Sequence, residues 1–226
     1  MAAADLLRVS ELFFSIQGES TYAGYPCAFI RLAGCNLRCS YCDARYTYEE
    51  DGLEKTLDEL LAFVDTHPAA LVQITGGEPL LQDGVYPLLA ALLRRQRLVL
   101  LETNGSISLT QVPTGVVKVM DLKCPESGMA GTTLPDNFRL LTPADEVKCV
   151  VSSRADYDWA VAELRRHFPY LRQPGTLRQR PKLLFSPVAD RLSLATLASW
   201  LLADGLSLRL QAQLHKILWP GESRGV

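Results

Sequence analysis

Phe29-Ile-Arg-Leu-Ala-Gly-Cys35-Asn-Leu-Arg-Cys39-Ser-Tyr-Cys42-Asp43 runs from an apolar segment straight into a CxxxCxxC spacing. Ala28 to Leu32 reads as a short buried strand that delivers the cysteines at its carboxyl end. Three thiols thus share one short loop with no fourth cysteine nearby. A cubane iron–sulfur cluster held by three cysteines keeps one iron open to an outside donor, which suits chemistry better than simple electron carriage. Structural zinc normally takes four protein ligands, often as two separated pairs, and the chain has no second pair. Cys27, Cys124 and Cys149 are scattered, and His67, His167 and His215 are distant in sequence, so only folding could bring a fourth ligand to the loop. A disulfide framework is not expected, because the chain shows no signal peptide and is too large to need staples.

At 226 residues and 48% hydrophobic content, the chain can bury a single substantial core, and one domain over 1–226 is expected. The formal net charge is −2, and Lys and Arg are spread along the chain, which leaves no basic footprint for nucleic acid and favours a small-molecule partner. Met1-Ala2-Ala3-Ala4-Asp5 lacks the charged start and apolar run of a signal, and no apolar stretch is long enough to span a bilayer. The expectation is a cytoplasmic enzyme, a reducing setting that an oxygen-sensitive cluster also needs.

Outward from the cysteine loop, strand and helix patterns alternate. Lys55 to Thr66 reads as a helix, with Leu57, Leu60, Leu61 and Val64 at helical spacing, and so do Tyr86 to Arg95, Ala155 to His167 and Leu194 to Ala203. Leu71 to Thr75, Leu98 to Leu101, Val116 to Met120, Val147 to Val151, Leu183 to Phe185 and Leu206 to Leu210 read as strands. Pro125 to Pro135 and Pro169 to Pro181 read as loops. The alternation predicts an α/β fold with a parallel sheet, a partial and irregular (βα) barrel. Cys35, Gly76-Gly77-Glu78-Pro79, Glu102-Thr103-Asn104-Gly105 and Asp121-Leu122-Lys123 each follow a strand, and in parallel α/β folds those carboxyl ends form the ligand face.

The glycines of Thr75-Gly76-Gly77-Glu78-Pro79 permit close backbone approach, and its carbonyls can accept from a ligand ammonium. Asn104-Gly105 is also a common turn pair, and Asp121 with Lys123 could be a simple ion pair. Arg31 could equally be a strand arginine in a salt bridge, and His215 a satisfied core or surface group. No residue stands out from the sequence as a catalytic acid or base.

The CxxxCxxC loop with Tyr41 before its last cysteine, together with Gly76-Gly77-Glu78-Pro79, resembles the radical S-adenosylmethionine (SAM) enzymes. The resemblance implies a 4Fe-4S cluster on Cys35, Cys39 and Cys42, with SAM chelating the open iron. It also implies SAM contacts from Tyr41 beside the adenine, Gly76, Gly77, Glu78, Asn104 and Lys123. Further motifs narrow the family: Glu11-Leu-Phe-Phe-Ser-Ile16-Gln17-Gly18-Glu19-Ser20, Phe29-Ile30-Arg31-Leu32, Leu184-Phe-Ser-Pro187 and Leu210-Gln-Ala-Gln-Leu-His-Lys216. Over nearly the whole chain these are similar to the 7-carboxy-7-deazaguanine synthases of queuosine and deazapurine biosynthesis. Such lyases rearrange 6-carboxy-5,6,7,8-tetrahydropterin with loss of ammonia and regenerate SAM.

By that resemblance Ile16, Gln17, Gly18, Glu19, Arg31, Thr75 and His215 contact the pterin. A planar, permanently charged guanidinium at Arg31 suits its carboxylate, and Glu19 or backbone carbonyls suit its aminopyrimidinone edge. A homodimer and an electron donor such as flavodoxin or ferredoxin are also implied. Relatives commonly follow the last cysteine with Asp-Thr or Asp-Ser, whose hydroxyl helps bind a magnesium ion that touches substrate, whereas this chain has Asp43-Ala44. Alanine offers that hard cation no oxygen, which leaves water, Asp43 or no metal at all as the open readings. Ser20 stands where Gly or Thr is usual. The run from Trp219 to Val226 extends past the point where some relatives end and present a terminal carboxylate, so that role is not carried over. Two other readings share part of the pattern. A glycyl-radical activase needs the triad but not the Gln17-Gly18-Glu19 and Arg31 clamp. A non-catalytic iron–sulfur or zinc module would hold metal without cleaving SAM.

Overall fold

The computed structural model describes residues 6–169, 171–173 and 178–226. The five N-terminal residues on which the absence of a signal was read, and part of the Pro169 to Pro181 loop, lie outside the described residues. The strands are β1 (Leu6–Ile16), β2 (Pro26–Leu32), β3 (Leu53–Thr56), β4 (Leu71–Gly76), β5 (Val99–Thr103), β6 (Val117–Asp121), β7 (Glu146–Val151), β8 (Lys182–Pro187) and β9 (Arg209–Leu210). They form one sheet in the order β3-β1-β2-β4-β5-β6-β7-β8-β9. From β2 to β9 every neighbouring pair is parallel, while β1 runs antiparallel to both β2 and β3. Because β3 and β9 are opposite edges of the sheet, the barrel is partial, as the strand–helix alternation predicts.

The helices are α1 (Tyr46–Glu49), α2 (Leu57–Asp65), α3 (Val85–Arg94), α4 (Arg154–His167), α5 (Leu194–Asp204) and α6 (Leu214–Leu218). In α2 the buried residues are Leu60, Leu61 and Val64; in α3 Leu88, Leu89 and Leu92; in α4 Tyr157, Val161 and Leu164. These stripes at helical spacing join Ile30, Leu32, Val72, Ile74 and Leu101 in the main core on one face of the sheet.

Three expectations shift. An 11-residue strand, β1, precedes the first strand–helix unit, where the sequence reading found only a motif. The helix expected from Lys55 begins at Leu57, because Leu53 to Thr56 pairs with β1 and Thr56 caps α2 through a reciprocal bond with Glu59. The last strand shrinks to Arg209–Leu210, an exposed pair at the sheet edge.

Strand alternation sorts the opposite face into two levels. Phe29, Leu71, Leu100, Val117 and Val119 pack with Phe13 and Cys27 into a smaller apolar cluster. Two residues further along the same strands stand Arg31, Gln73, Glu102 and Asp121, with Lys148 beside Asp121 in register. The apolar layer closes the lower part of the half-barrel, each fully buried large side chain contributing about 1.5–3 kcal/mol, and the polar layer above it faces the cavity.

Candidate active site

A cavity of about 280 Å³ lies at the carboxyl ends of β2 and β4 to β7. All three cysteines of the triad line it, as do Tyr41, Ala44, Gly76, Gly77, Asn104 and Lys123 from the residues expected at SAM or metal. Ile16, Gln17, Gly18, Glu19, Arg31, Thr75 and His215, expected at the pterin, line the same cavity. Of the expected site residues only Glu78 is absent from the wall.

Glu78 is fully buried, and its carboxylate accepts from Thr103 Oγ1 at 2.8 Å, Asn104 N at 2.7 Å and Leu80 N at 3.0 Å. It ties the Glu102–Gly105 loop to the Gly76–Pro79 turn. Burial pushes its carboxyl up to about 7, against the pull of those donors. Asn104 then reaches Asn36 of the cysteine loop at 3.1 Å.

Cys35, Cys39 and Cys42 are free and half-buried, while Cys27, Cys124 and Cys149 are fully buried in the core. His67 stacks on Phe14 and His167 on Phe138, so the scattered cysteines and these two histidines are not fourth ligands at the cavity. Among the described residues no group of three or more His, Cys, Asp or Glu side chains is arranged to hold a single metal ion. The soft donor set fits an iron–sulfur cluster. A Cβ on Gly77 would lie 2.2 Å from Gly34 O and 2.6 Å from Cys35 Cβ, so the turn presses directly on the loop and only glycine allows it. Burial pushes the Cys39 and Cys42 thiols up, and the nearby Lys123 ammonium opposes this. Lys123 is itself paired with Asp121 at 2.7 Å, in the cavity wall rather than in open solvent. Tyr41 donates to Val150 O at 3.0 Å, with the Arg191 guanidinium 5.6 Å from its ring centre.

On the pterin side, Gln17 is 2% exposed; its amide donates to Gln73, and its Oε1 accepts from Glu19 N at 3.0 Å. Gln73 and Thr75 both donate to Glu102 Oε2, at 2.9 and 2.8 Å. Gly18 packs against His215, where an added Cβ would sit 2.3 Å from Nδ1. Burial lowers the His215 pKa despite Glu19 nearby, so its ring is neutral at pH 7. Ser20 holds φ +67°, a left-handed turn that glycine enters freely, and its Oγ accepts from Tyr22 N at 3.0 Å. Arg31 is half-buried and donates its Nε to Glu11 at 3.1 Å, the salt bridge anticipated as an alternative, while also standing in the cavity wall.

The sequence reading passed over the residue that joins these parts. Lys148 is 4% exposed, and its ammonium pairs with Glu19 at 2.6 Å, with Glu102, and with Asp121 at 3.2 Å. Burial alone would push that ammonium down; Asp121, Glu102 and Glu19 hold it well above its ordinary value. Glu102 is kept low by Lys148 against its own burial. A visible signal existed: Gln73, Glu102 and Lys148 are long polar side chains in mostly apolar strands, and all three line the cavity.

Asp43 and Ala44 sit at the mouth. Ala44 O already accepts from Thr47 N at 3.0 Å and Thr47 Oγ1 at 2.7 Å, and Asp43 Oδ2 receives Lys216 Nζ at 3.3 Å. Desolvation raises the Asp43 carboxyl, but Lys216, then Lys148 and Arg31, bring it below its usual range. These residues fit a magnesium ion poorly: it takes one or two carboxylates besides water and substrate oxygens, and here Ala44 offers no side-chain oxygen while Asp43 is already shared with Lys216. Glu222, Ser223 and Val226 also line the cavity, and Arg224 lies 4.2 Å from the Tyr46 ring centre, so the extension beyond α6 folds back across this side of the site.

Residues 29–114 match the radical SAM superfamily. A 7-carboxy-7-deazaguanine synthase of Chlorobaculum tepidum is 44% identical over 97% of both chains, and one of Koribacter versatilis is 42% identical over 97% of this chain and all of its own length. The crystal structure of QueE from Escherichia coli superposes with a TM-score of 0.72 at 22% identity, covering 93% of this chain and 95% of its own, which shows the shared fold. Streptococcus suis SuiB bound to S-adenosylmethionine is more distant, at a TM-score of 0.56 and 15% identity, over 82% of this chain and 50% of that one. With relatives of this identity along almost its entire length and the triad, turn and clamp gathered at one cavity, the chain belongs to the 7-carboxy-7-deazaguanine synthase family of radical SAM enzymes.

Proposed function

We propose that this chain, as a single radical SAM domain over 1–226, rearranges 6-carboxy-5,6,7,8-tetrahydropterin to 7-carboxy-7-deazaguanine with release of ammonia, a carbon–nitrogen lyase reaction in queuosine and deazapurine biosynthesis. The observation that carries the reading is the meeting of the cysteine triad with Gln17, Glu19, Arg31 and His215 around one cavity. The 4Fe-4S cluster and SAM, when bound, would supply the radical chemistry, reversible hydrogen abstraction at the pterin carbon bearing the carboxylate.

The chain's own part is to bind, orient and exclude water. Cys35, Cys39 and Cys42 hold the cluster, and Gly76, Gly77, Asn104, Lys123 and Tyr41 surround the methionine and adenosine portions of SAM. Arg31 spends its Nε on Glu11, which leaves the two terminal nitrogens of its fork for the pterin carboxylate. Glu19 is held from two sides, by Lys148 and by Gln213 Nε2 at 2.7 Å, and accepts from the aminopyrimidinone edge. A neutral His215 both donates and accepts, and Thr75 and Gln17 complete the polar wall.

Among the described residues no helix is long and apolar enough to cross a membrane. A cytoplasmic setting, a homodimer and a flavodoxin or ferredoxin as reductant belong to this proposal. Support for the activase or the non-catalytic module is lacking, since relatives named 7-carboxy-7-deazaguanine synthase match end to end. The test is an anaerobic reaction of reconstituted enzyme with reductant, SAM and 6-carboxytetrahydropterin, followed by mass spectrometry. Product with SAM undepleted is expected. Cleavage of SAM without product would refute the substrate, and no cleavage by a fully loaded cluster would refute the enzyme.

A further inference from the structure

We propose that the Lys216 ammonium is the cation this chain sets against an oxygen of the bound carboxypterin, in place of a divalent metal, so that turnover needs no magnesium. The inference rests on the reaction proposed above and concerns how the same site binds its substrate. Next to the last cluster cysteine, the side chain of Ala44 has no oxygen, and its carbonyl is taken by both donors of Thr47, itself 1% exposed. Asp43, the neighbouring carboxylate, already carries the Lys216 ammonium at 3.3 Å. Three other carboxylates of the wall are likewise engaged: Glu19 and Glu102 by Lys148, and Asp121 by Lys123 and Lys148. No three His, Cys, Asp or Glu side chains among the described residues are arranged around a metal ion.

A divalent cation at Asp43, Glu19, Glu102 or Asp121 would therefore compete with an ammonium already in place. Lys216 is better placed to act directly. It follows His215 in α6, lines the cavity with Asp43 and Ala44, and its side chain is 34% exposed. An ammonium has three donors; Asp43 fixes one, and the others are available to an anionic or carbonyl oxygen of the ligand. Asp43 thus aims the ammonium, and Lys216 supplies positive charge at the mouth of the site, in a cavity that Arg31 also lines.

The test uses reconstituted holoenzyme in buffers stripped of divalent ions. Product formation is expected to change less than about twofold on adding magnesium. Manganese, followed by electron paramagnetic resonance in the presence of SAM and pterin, is expected to stay free with the native chain and to become bound with Ala44→Thr/Lys216→Met, which restores a hydroxyl and releases Asp43. Lys216→Met alone should raise KM for the pterin about tenfold to a hundredfold at unchanged iron content, with partial recovery in Lys216→Arg. Product that appears only with a divalent ion, manganese bound by the native chain, or an unchanged KM in Lys216→Met would overturn the inference while leaving the reaction standing. No product in either buffer would refute the reaction and the inference together.

Discussion

Replacing Lys148 by Met is the most informative single perturbation, because it removes one cation and leaves three carboxylates. Met fills a similar volume, so the loss is electrostatic rather than a cavity. The ammonium sits on Glu19 at 2.6 Å, on Glu102, and within 3.2 Å of Asp121, and the lysine is 4% exposed. Breaking a buried pair by deleting one partner costs about 3–5 kcal/mol. With an unfolding entropy near 2.1 cal/mol/K per residue over 226 residues, or about 0.47 kcal/mol/K, that becomes a fall in Tm of about 6–11 °C.

The pH dependence separates this cause from mere misfit. In the native chain Glu102 has a depressed pKa, so its stabilising effect is present above the ordinary glutamate range and is lost as pH falls through that depressed value. In Lys148→Met the clustered carboxylates are desolvated and repel one another, so their folded-state pKa values rise above the unfolded ones. Folding then favours proton uptake, and the variant regains stability as pH falls. The Tm gap between native and variant should be widest near pH 8 and narrow toward pH 5, as followed by circular dichroism on anaerobically prepared protein. A fall of less than about 2 °C, or a gap that stays constant across that range, would refute the argument that Lys148 is the counter-charge holding the site together.

Gly77→Ala drives a methyl group into Gly34 O and Cys35 Cβ, so reconstituted iron per chain should drop to less than half, measured by iron and sulfide analysis; full loading would show that the loop can yield. Gly18→Ala should displace His215 and raise KM for the pterin about tenfold or more with little change in SAM binding, a split that kinetics would resolve. Glu78→Gln turns an acceptor of the Asn104 N–H into a mismatch worth about 1–3 kcal/mol and should weaken SAM binding by calorimetry more than pterin binding. Arg31→Ala should abolish saturation by the pterin while leaving iron content intact; parallel loss of iron would make the arginine structural through its bond to Glu11.

Local patterns carried the fold class and the cofactor. Three cysteines on a strand-end loop, a paired-glycine turn, and alternating strands and helices are short-range signals, and strand ends of a parallel sheet converge whatever the details. The half-barrel, the main core and the placement of the triad beside the Gly76–Gly77 turn follow from these runs of sequence. β1 escaped the strand reading because β3 covers only Leu6 to Val9 on its outer side, which leaves much of the rest half-buried, with an irregular register between Val9 and Glu11. Glu78 was read as a ligand residue because its motif is; two of its three donors, Thr103 and Asn104, which make it a tie between loops, come from a segment about 25 residues away.

Lys148 shows where sequence stops. The sequence Glu146-Val-Lys-Cys-Val-Val151 states only that the strand carries charged residues at 146 and 148. That Lys148 meets Glu19, 129 residues earlier, and Glu102, 46 residues earlier, depends on strand order and register, which no local pattern encodes. The same holds for Lys216 and Asp43, which are 173 residues apart, and for Gly18 against His215. The sequence by itself determined the elements and the chemistry each can bear, because those depend on residue type and spacing. Tertiary structure alone decided which charges neutralise one another and which remain for substrate, because electrostatic pairing depends on distance and burial in space.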